Sequence, residues 1–310
     1  MPLWTPDRIT TALWLDAADA STITESDGAV SQWADKSGNG HHAAQAVANQ
    51  RPIVIANQVN GMPVVRFDGD DDVLSSPLQV PIDDCAVFVV YKARLANTNY
   101  AIGMRPAADK RLYISTALHA KGAYMPTYTN STDWRIAVVG GTSTQAYSGL
   151  DGVSSSGADT NTGLTENTWI GGANFIATDN LVSAYGLVDI AEALITTFSI
   201  DFIDTVEGYL AHKWGLAANL PAEHPYKDAA PIVLGLFDGT IADKDGSPAE
   251  RRITVLDAAG HCVATDTSDP VTGAYSIAVP AESPYTLVFD GEPDRNAIVY
   301  ANVIPGEVPE

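Results

Sequence analysis

Residues 32–43 read Gln-Trp-Ala-Asp-Lys-Ser-Gly-Asn-Gly-His-His-Ala, and the fold of the chain on either side of them follows from this stretch. Trp33 is a large apolar side chain that can anchor the stretch to a core. Gly38 and Gly40 can adopt positive φ at little steric cost. Three short polar side chains can each bond a neighbouring backbone amide: Asp35, Ser37 and Asn39. The stretch therefore predicts a tight turn between two strands.

Short apolar segments flank this turn and continue along the chain. Asn60-Gly61 is a hairpin signal between two of them. Residues 85–91 form a nearly continuous apolar run, which is typical of a central strand buried on both faces. Turn residues recur every ~8–12 positions, a spacing that indicates a β-sandwich or barrel. We therefore predict an all-β fold for this part of the chain.

One segment after residue 202 has helical periodicity. Val206, Leu210 and Trp214 share a face of a 3.6-residue repeat, which predicts one short helix at the end of the first domain. Asp204 or Thr205 is its predicted N-cap, and Gly215 its predicted end. The chain then divides by composition into residues 1–228, a linker at 229–231, and residues 232–310. The last segment has about six or seven strand signals and no helix, as in a small immunoglobulin-like or transthyretin-like sandwich.

Composition excludes several classes of function. The formal net charge is −21, from 38 acidic and 17 basic residues, so we expect no nucleic-acid partner. No apolar run approaches ~18 residues, and we expect no membrane insertion. The first residues contain no basic segment followed by an apolar run, so we expect no signal peptide. Cys85 and Cys262 fall in different predicted domains and predict buried thiols rather than a disulfide framework.

Several segments resemble, in the same order, the concanavalin A-like or laminin G-like jelly roll of phage and bacterial surface proteins. They are residues 13–17, 33–40, 64–69, 169–172, 190–193 and 206–216. Residues 231–310 are similar to a small prealbumin-like or carboxypeptidase-regulatory-like β-sandwich found at the C-terminus of phage structural proteins. The resemblance implies a virion protein, either a tail fibre or appendage or a capsid decoration. Its expected partners are other virion proteins, copies of itself and a host surface glycan.

An acidic turn follows the strand at residues 63–67. Asp68, Asp70 and Asp72 are the candidate metal ligands there, because calcium prefers carboxylate and carbonyl oxygens. Jelly rolls that the chain resembles carry calcium near such a loop. The spacing does not match an EF-hand, and a solvated turn without metal is the alternative interpretation. No other cofactor is expected.

A candidate glycan site lies at the start of a strand that follows a polar loop. Trp134 is the aromatic side chain there, flanked by Asp133 and Arg135, and sugar sites combine an aromatic surface with polar groups. The other tryptophans lie inside the motifs of the fold and are predicted to be core residues: Trp14, Trp33, Trp169 and Trp214.

No catalytic motif is evident in the sequence. The Glu-x-Asp-x-x-Glu run of jelly-roll glucanases is absent, and Glu192 and Glu207 do not form an acid pair of known separation. Glu207 is instead predicted to bond a nearby loop. The sequence therefore predicts a protein that is not an enzyme, with no catalytic residues. Two alternatives stay open: a bacterial surface lectin or adhesin, and a polysaccharide-degrading enzyme of the same fold.

Overall fold

The computed structural model describes residues 3–95, 100–106, 112–115, 118–120, 123–124, 131–159, 163, 165–173, 184–243, 245–281, 284–291 and 298–307. The chain forms two compact units. Residues 5–230 make one of them. Leu3 and Trp4 belong to the other, because Leu3 pairs with Ile232 and the Trp4 amide donates to the Pro231 carbonyl at 3.0 Å.

The described part of residues 5–230 contains nineteen strands. The first nine are β1 (Thr11–Asp16), β2 (Ile23–Ser26), β3 (Ala29–Trp33), β4 (Ala43–Ala44), β5 (Ile53–Val59), β6 (Met62–Arg66), β7 (Leu74–Ser76), β8 (Asp84–Ala93) and β9 (Tyr100–Pro106). The others are β10 (Leu112–Ser115), β11 (Leu118–Ala120), β12 (Ala123–Tyr124), β13 (Trp134–Thr142), β14 (Gln145–Leu150), β15 (Val153–Ala158), β16 (Thr165–Ile170), β17 (Gly172–Ala173), β18 (Ala184–Tyr185) and β19 (Val188–Thr196).

These strands form two large antiparallel sheets. One has the order β15-β14-β13-β8-β19-β6-β5, with β1 also paired to β19, and the other has the order β12-β11-β10-β9-β16-β7-β4-β3-β2. The two sheets face each other, since the Tyr91 hydroxyl on β8 donates to the Ser115 carbonyl on β10 at 3.2 Å. The largest fully buried side chains of the core include Trp33, Phe67 and Phe88. The predicted β-sandwich is confirmed.

The predicted hairpin and helix are both present. Asn60 and Gly61 join β5 to β6 with φ of 47° and 74°, the positive values that a type I′ turn requires. Helix α1 spans Ile200–Lys213, and Gly215 follows its end with φ of +70°. The described residues also form four 3₁₀ turns: Pro6–Arg8, Ala20–Thr22, Ala48–Gln50 and Ala217–Asn219.

The predicted N-cap of the helix is wrong. Helix α1 begins after Ser199, whose side chain makes no capping bond, so Asp204 and Thr205 lie inside the helix. Ile203 is buried, so the apolar face of the helix begins before the predicted N-cap residues Asp204 and Thr205. Packing of that face against the sheet therefore sets the start of the helix, and this outweighs the missing cap.

No helix in the described part of the chain is long and apolar enough to cross a membrane.

The second unit is also a sandwich of antiparallel sheets. Its strands are β20 (Leu234–Thr240), β21 (Arg252–Leu256), β22 (Cys262–Thr267), β23 (Ala274–Pro280), β24 (Tyr285–Phe289), β25 (Ile298–Val303) and β26 (Gly306–Glu307). The sheet orders are β23-β20-β26 and β22-β21-β24-β25. Phe237, Ile253 and Leu287 belong to its buried core. The predicted class, all-β with one helix in the first unit, is confirmed.

Cys262 is exposed rather than buried, because it begins the outermost strand of its sheet.

Candidate functional site

The turn at residues 35–41 is organised by one carboxylate. Asp35 Oδ1 accepts hydrogen bonds from the amides of Trp14 and Ser37, both at 2.9 Å. Its other oxygen, Oδ2, accepts from the His41 amide at 3.0 Å. Gly38 lies in the left-handed region with φ of +88°. Asp35 thus closes the turn on itself and fastens it to β1, because Trp14 lies on that strand.

A cavity of about 520 Å³ lies beside this turn. Its walls come from four separate parts of the chain, within residues 6–14, 37–41, 78–85 and 196–197. Apolar surface is provided by Trp14, Leu78 and Val80, among other residues. A volume of this size is typical of small-molecule sites, which combine apolar walls with a few polar groups.

Two polar side chains of the cavity are held in fixed orientations by backbone carbonyls. The Asn39 amide nitrogen Nδ2 donates to the Thr11 carbonyl at 2.8 Å. The His41 nitrogen Nδ1 lies 2.9 Å from the Ala12 carbonyl oxygen. A carbonyl oxygen can only accept, so Nδ2 of Asn39 and the protonated Nδ1 of His41 are the donors. The atoms left to meet a ligand are Asn39 Oδ1 and, in the neutral ring, His41 Nε2, and both are acceptors.

The charged groups of the cavity are all acidic. The carboxylates of Asp7 and Asp84 belong to its lining, and both residues are exposed. None of the described residues that line it is a lysine or an arginine. A ligand in this cavity therefore meets carboxylates on the lining itself, while the nearby Lys36 and Lys213 ammonium groups are paired with Asp16.

Behind the cavity wall lies a buried polar network centred on Glu192 of β19, a residue with no exposed surface. Its carboxylate accepts hydrogen bonds from Trp14 Nε1 at 2.7 Å and from Trp214 Nε1 at 2.6 Å. It also accepts from the Tyr209 hydroxyl at 3.0 Å and from Lys213 Nζ at 2.7 Å. Burial raises the pKa of Glu192, and the neighbouring Lys213 ammonium opposes that rise.

This network joins β1 and β19 to the helix. Lys213 Nζ also lies 2.9 Å from Asp16 Oδ1, and Lys36 Nζ lies 2.9 Å from Asp16 Oδ2. The Lys36 ammonium stands 4.6 Å from the centre of the Trp14 ring. Trp14 is therefore held at its indole nitrogen and on its ring face, which fixes the cavity wall that it forms.

The predicted glycan residues lie on a different part of the sandwich from the cavity lining. Trp134 begins β13 and is half-buried, and its carbonyl accepts from Asn219 Nδ2 at 3.0 Å. Asp133 is exposed and accepts from the Ser131 hydroxyl at 2.7 Å. Arg135 follows Trp134 on the strand and so points to the opposite face. Its Nε lies 2.5 Å from the buried Asp151 carboxylate. The glycan site at these three residues stays a prediction.

The acidic turn is organised by Asp68. Its Oδ1 accepts from the amides of Asp70 at 2.9 Å and of Asp71 and Asp72, both at 3.3 Å. Carboxylate oxygens of Asp68, Asp71 and Asp72 lie within 4.8 Å of one another, and Asp70 is not part of that group. Of the predicted ligands Asp68, Asp70 and Asp72, the structure therefore gathers two and adds Asp71. Calcium binding there stays a prediction.

The pKa of Asp72 is raised to about 6, mainly by burial and then by the Asp68 carboxylate. Ionising a buried carboxyl group with a raised pKa costs the folded state free energy. We therefore expect the free energy of unfolding to decrease as the pH rises from about 4 to about 6. Asp72→Asn should remove part of that pH dependence, measured by urea unfolding. A carbon-13 NMR titration should place the Asp72 pKa near 6. Millimolar calcium should lower that value if the loop binds the ion, and an unchanged value would argue against calcium.

Asp204, Glu207 and His224 lie close together, and the sequence did not predict this group. His224 is buried, and its Nε2 lies 3.8 Å from oxygens of both Asp204 and Glu207, beyond hydrogen-bond distance. Its Nδ1 accepts from the Tyr226 amide at 3.2 Å, which places the ring proton on Nε2. Glu207 accepts from the Gly152 amide at 3.3 Å, as expected of a helix residue that bonds a loop. The group fastens the segment after the helix to α1.

The cavity was also missed by sequence reasoning. Its residues come from positions as far apart as Pro6 and Thr197, and no local motif joins them. The polar turn at residues 35–41 was the visible signal, and the sequence predicted it only as a tight turn between two strands. It is such a turn, since Asp35 closes it, but Asn39 and His41 also face the cavity.

Comparisons with known proteins give similar structures of low identity. No family model and no curated protein sequence matches the chain. A Trypanosoma rangeli sialidase in complex with sialic acid is 13% identical with a TM-score of 0.42, covering 65% of this chain and 33% of the sialidase. Domains LG4-5 of the mouse laminin alpha1 chain are 10% identical with a TM-score of 0.34, covering 82% of this chain and 81% of theirs.

A further similar structure is domain 4 of AbnA, a GH43 extracellular arabinanase from Geobacillus stearothermophilus, in complex with arabinotriose. It is 11% identical with a TM-score of 0.33, covering 62% of this chain and 95% of that domain. The chain therefore spans about a third of the sialidase and nearly all of the arabinanase domain. The described residues themselves form the β-sandwich that the resemblance implied.

The comparisons contradict the prediction that the chain is not an enzyme. Sialidases and one domain of a GH43 extracellular arabinanase are among its structural neighbours. The prediction rested on the absence of one glucanase spacing, and that absence excludes only one arrangement of catalytic acids. The phage setting that the sequence resemblance implied has no counterpart among these neighbours.

Proposed function

We propose that the jelly roll binds a saccharide in the cavity beside the turn at residues 35–41. The carrying observation is the set of acceptor atoms on that cavity, formed by Asn39 Oδ1, His41 Nε2 and the carboxylates of Asp7 and Asp84. Sugar hydroxyls are hydrogen-bond donors and match such a set. Trp14 contributes to the apolar part of the cavity wall beside these acceptors.

A glycan array followed by calorimetry tests this proposal. Gln79 is exposed on the cavity lining, and Gln79→Trp should block the cavity and weaken binding at least about tenfold. Gln145→Trp adds the same bulk at an exposed position on β14, outside the cavity lining, and should leave binding unchanged. Binding lost in Trp134→Ala but kept in Gln79→Trp would move the sugar to the predicted strand site. No binding by the unaltered protein to any glycan would refute the function.

We further propose that the protein is carried on a bacteriophage particle, as a tail appendage or a capsid decoration, among other virion proteins and copies of itself. The order of the jelly-roll segments and the small second sandwich support this setting. Virions repeat their parts symmetrically, so several copies would present several cavities. Antibodies against the chain should label intact phage particles in electron microscopy. Labelling of uninfected bacterial surfaces would instead favour an adhesin.

The same saccharides show whether binding leads to cleavage. Release of reducing ends can be followed in parallel with calorimetry, using the unaltered protein and Gln79→Trp. Hydrolysis that disappears in the blocked variant would locate the chemistry in the cavity. Binding without release of reducing ends would describe a recognition domain.

A further inference from the structure

We propose that this cavity selects a saccharide that carries a free, protonated amine, such as an oligomer of glucosamine. The inference rests on the proposed saccharide binding and names the class of sugar. It follows from the kinds of polar atom that the cavity offers and from the sign of its charges.

The fixed side chains offer acceptors rather than donors. The donor nitrogen of Asn39 is already bonded to the Thr11 carbonyl, and the donor nitrogen of His41 to the Ala12 carbonyl. The Ser37 hydroxyl also donates within the protein, to Asp35 Oδ2 at 2.8 Å. An ammonium group presents three donors and no acceptor, so it complements the acceptors of Asn39 and His41 better than a neutral hydroxyl does.

Charge gives the same preference. Asp7 and Asp84 bring two carboxylates to the lining, and the described lining residues include no lysine or arginine. Hydrogen bonds between ionised partners are roughly twice as strong as neutral ones. A sugar carboxylate would instead meet like charge on the lining, and the nearby Lys36 and Lys213 are already paired with Asp16, in a chain whose net charge is −21. Acidic sugars are therefore disfavoured.

Calorimetry at ~150 mM salt, an ionic strength at which long-range attraction to the acidic chain is screened, tests the selection. Diglucosamine should bind about tenfold more tightly than its N-acetylated counterpart, because acetylation removes the charge. Sialyllactose should bind most weakly. The preference should fade as the pH rises from about 7.5 to about 9.5, because an amine with a pKa near ~8 loses its proton in that range.

Paired variants separate the cavity from the overall charge. In the double variant Asp7→Asn and Asp84→Asn, the two sugars should bind with affinities within about twofold of each other. Glu223→Gln with Asp228→Asn removes the same charge at exposed positions outside the cavity lining and should keep the preference. Thermal unfolding of each variant verifies that it is folded. A preference unchanged in the cavity variant, or lost equally in both, would overturn the inference.

The remaining outcomes distinguish this inference from the proposed function. Equal binding of the amine and acetylated sugars at the cavity would refute the selection and leave saccharide binding intact. Tightest binding of sialyllactose would do the same. Putrescine is a linear diamine with no sugar ring. If putrescine bound as tightly as diglucosamine, the cavity would recognise the positive charge alone and not a saccharide. No binding of any sugar would end both proposals.

Discussion

Glu192→Ala is expected to lower the free energy of unfolding of the jelly roll by about 3–5 kcal/mol. The substitution leaves the indole nitrogens of Trp14 and Trp214 and the hydroxyl of Tyr209 without their buried acceptor. Each unsatisfied buried donor costs about 1–3 kcal/mol, and relaxation of the site recovers part of the sum. Lys213 keeps Asp16 as a partner, which limits the loss.

Urea unfolding followed by tryptophan fluorescence measures this effect. Five of the six tryptophans lie within residues 5–230, so the signal reports mainly on the jelly roll. Glu25→Ala changes an exposed glutamate and should alter stability by less than ~0.5 kcal/mol. Glu192→Gln keeps the size of the side chain and should have an intermediate effect. A loss below ~1 kcal/mol for Glu192→Ala would mean that the network does not hold the unit together.

Gly171→Ala is expected to destabilise the jelly roll by about 3 kcal/mol, from two separate causes. Gly171 has φ of +76°, a conformation that costs an alanine roughly 1–2 kcal/mol. A Cβ there would lie 2.1 Å from Phe67 Cδ1. Phe67 is fully buried, so its ring cannot move away without disturbing the core, at a further cost of about 1–3 kcal/mol.

Two other glycines separate those causes. Gly38→Ala, with φ of +88° and no atom within 4 Å of the added Cβ, should show the backbone cost alone. Gly157→Ala has an open position without positive φ and should change stability by less than ~0.5 kcal/mol. Thermal and urea unfolding of the three variants give the comparison. Equal losses for Gly171→Ala and Gly38→Ala would show that Phe67 yields and that the contact is unimportant.

Features that depend on short stretches of chain were predictable. Asn60-Gly61 forms the positive-φ hairpin that this residue pair favours, and Gly215 follows the helix end with positive φ, as glycine readily does. Trp33 was predicted to be buried from its place in the turn, and it is fully buried. The start of the helix was not predictable, because burial of Ile203 rather than the choice of cap decides it.

The candidate site was predictable only in part. The polar turn was recognised, but its second role required knowing what stands opposite Asn39 and His41. Asp71 joined the acidic group in place of Asp70 because the amides of the turn wrap around Asp68 and set each side chain's direction. A pattern of charges along the chain does not contain those directions.

The sequence by itself determined the β class, the turns with positive φ, and the net negative charge of −21. These follow from the conformational preferences of single residues and from charge, which act over a few positions. Only the tertiary structure decided that Trp14 meets Glu192 across 178 positions, and that Asp7, Asp84 and the turn enclose one cavity. Such contacts depend on the order and register of strands within the sheets, and many sequences with the same local pattern could pair differently.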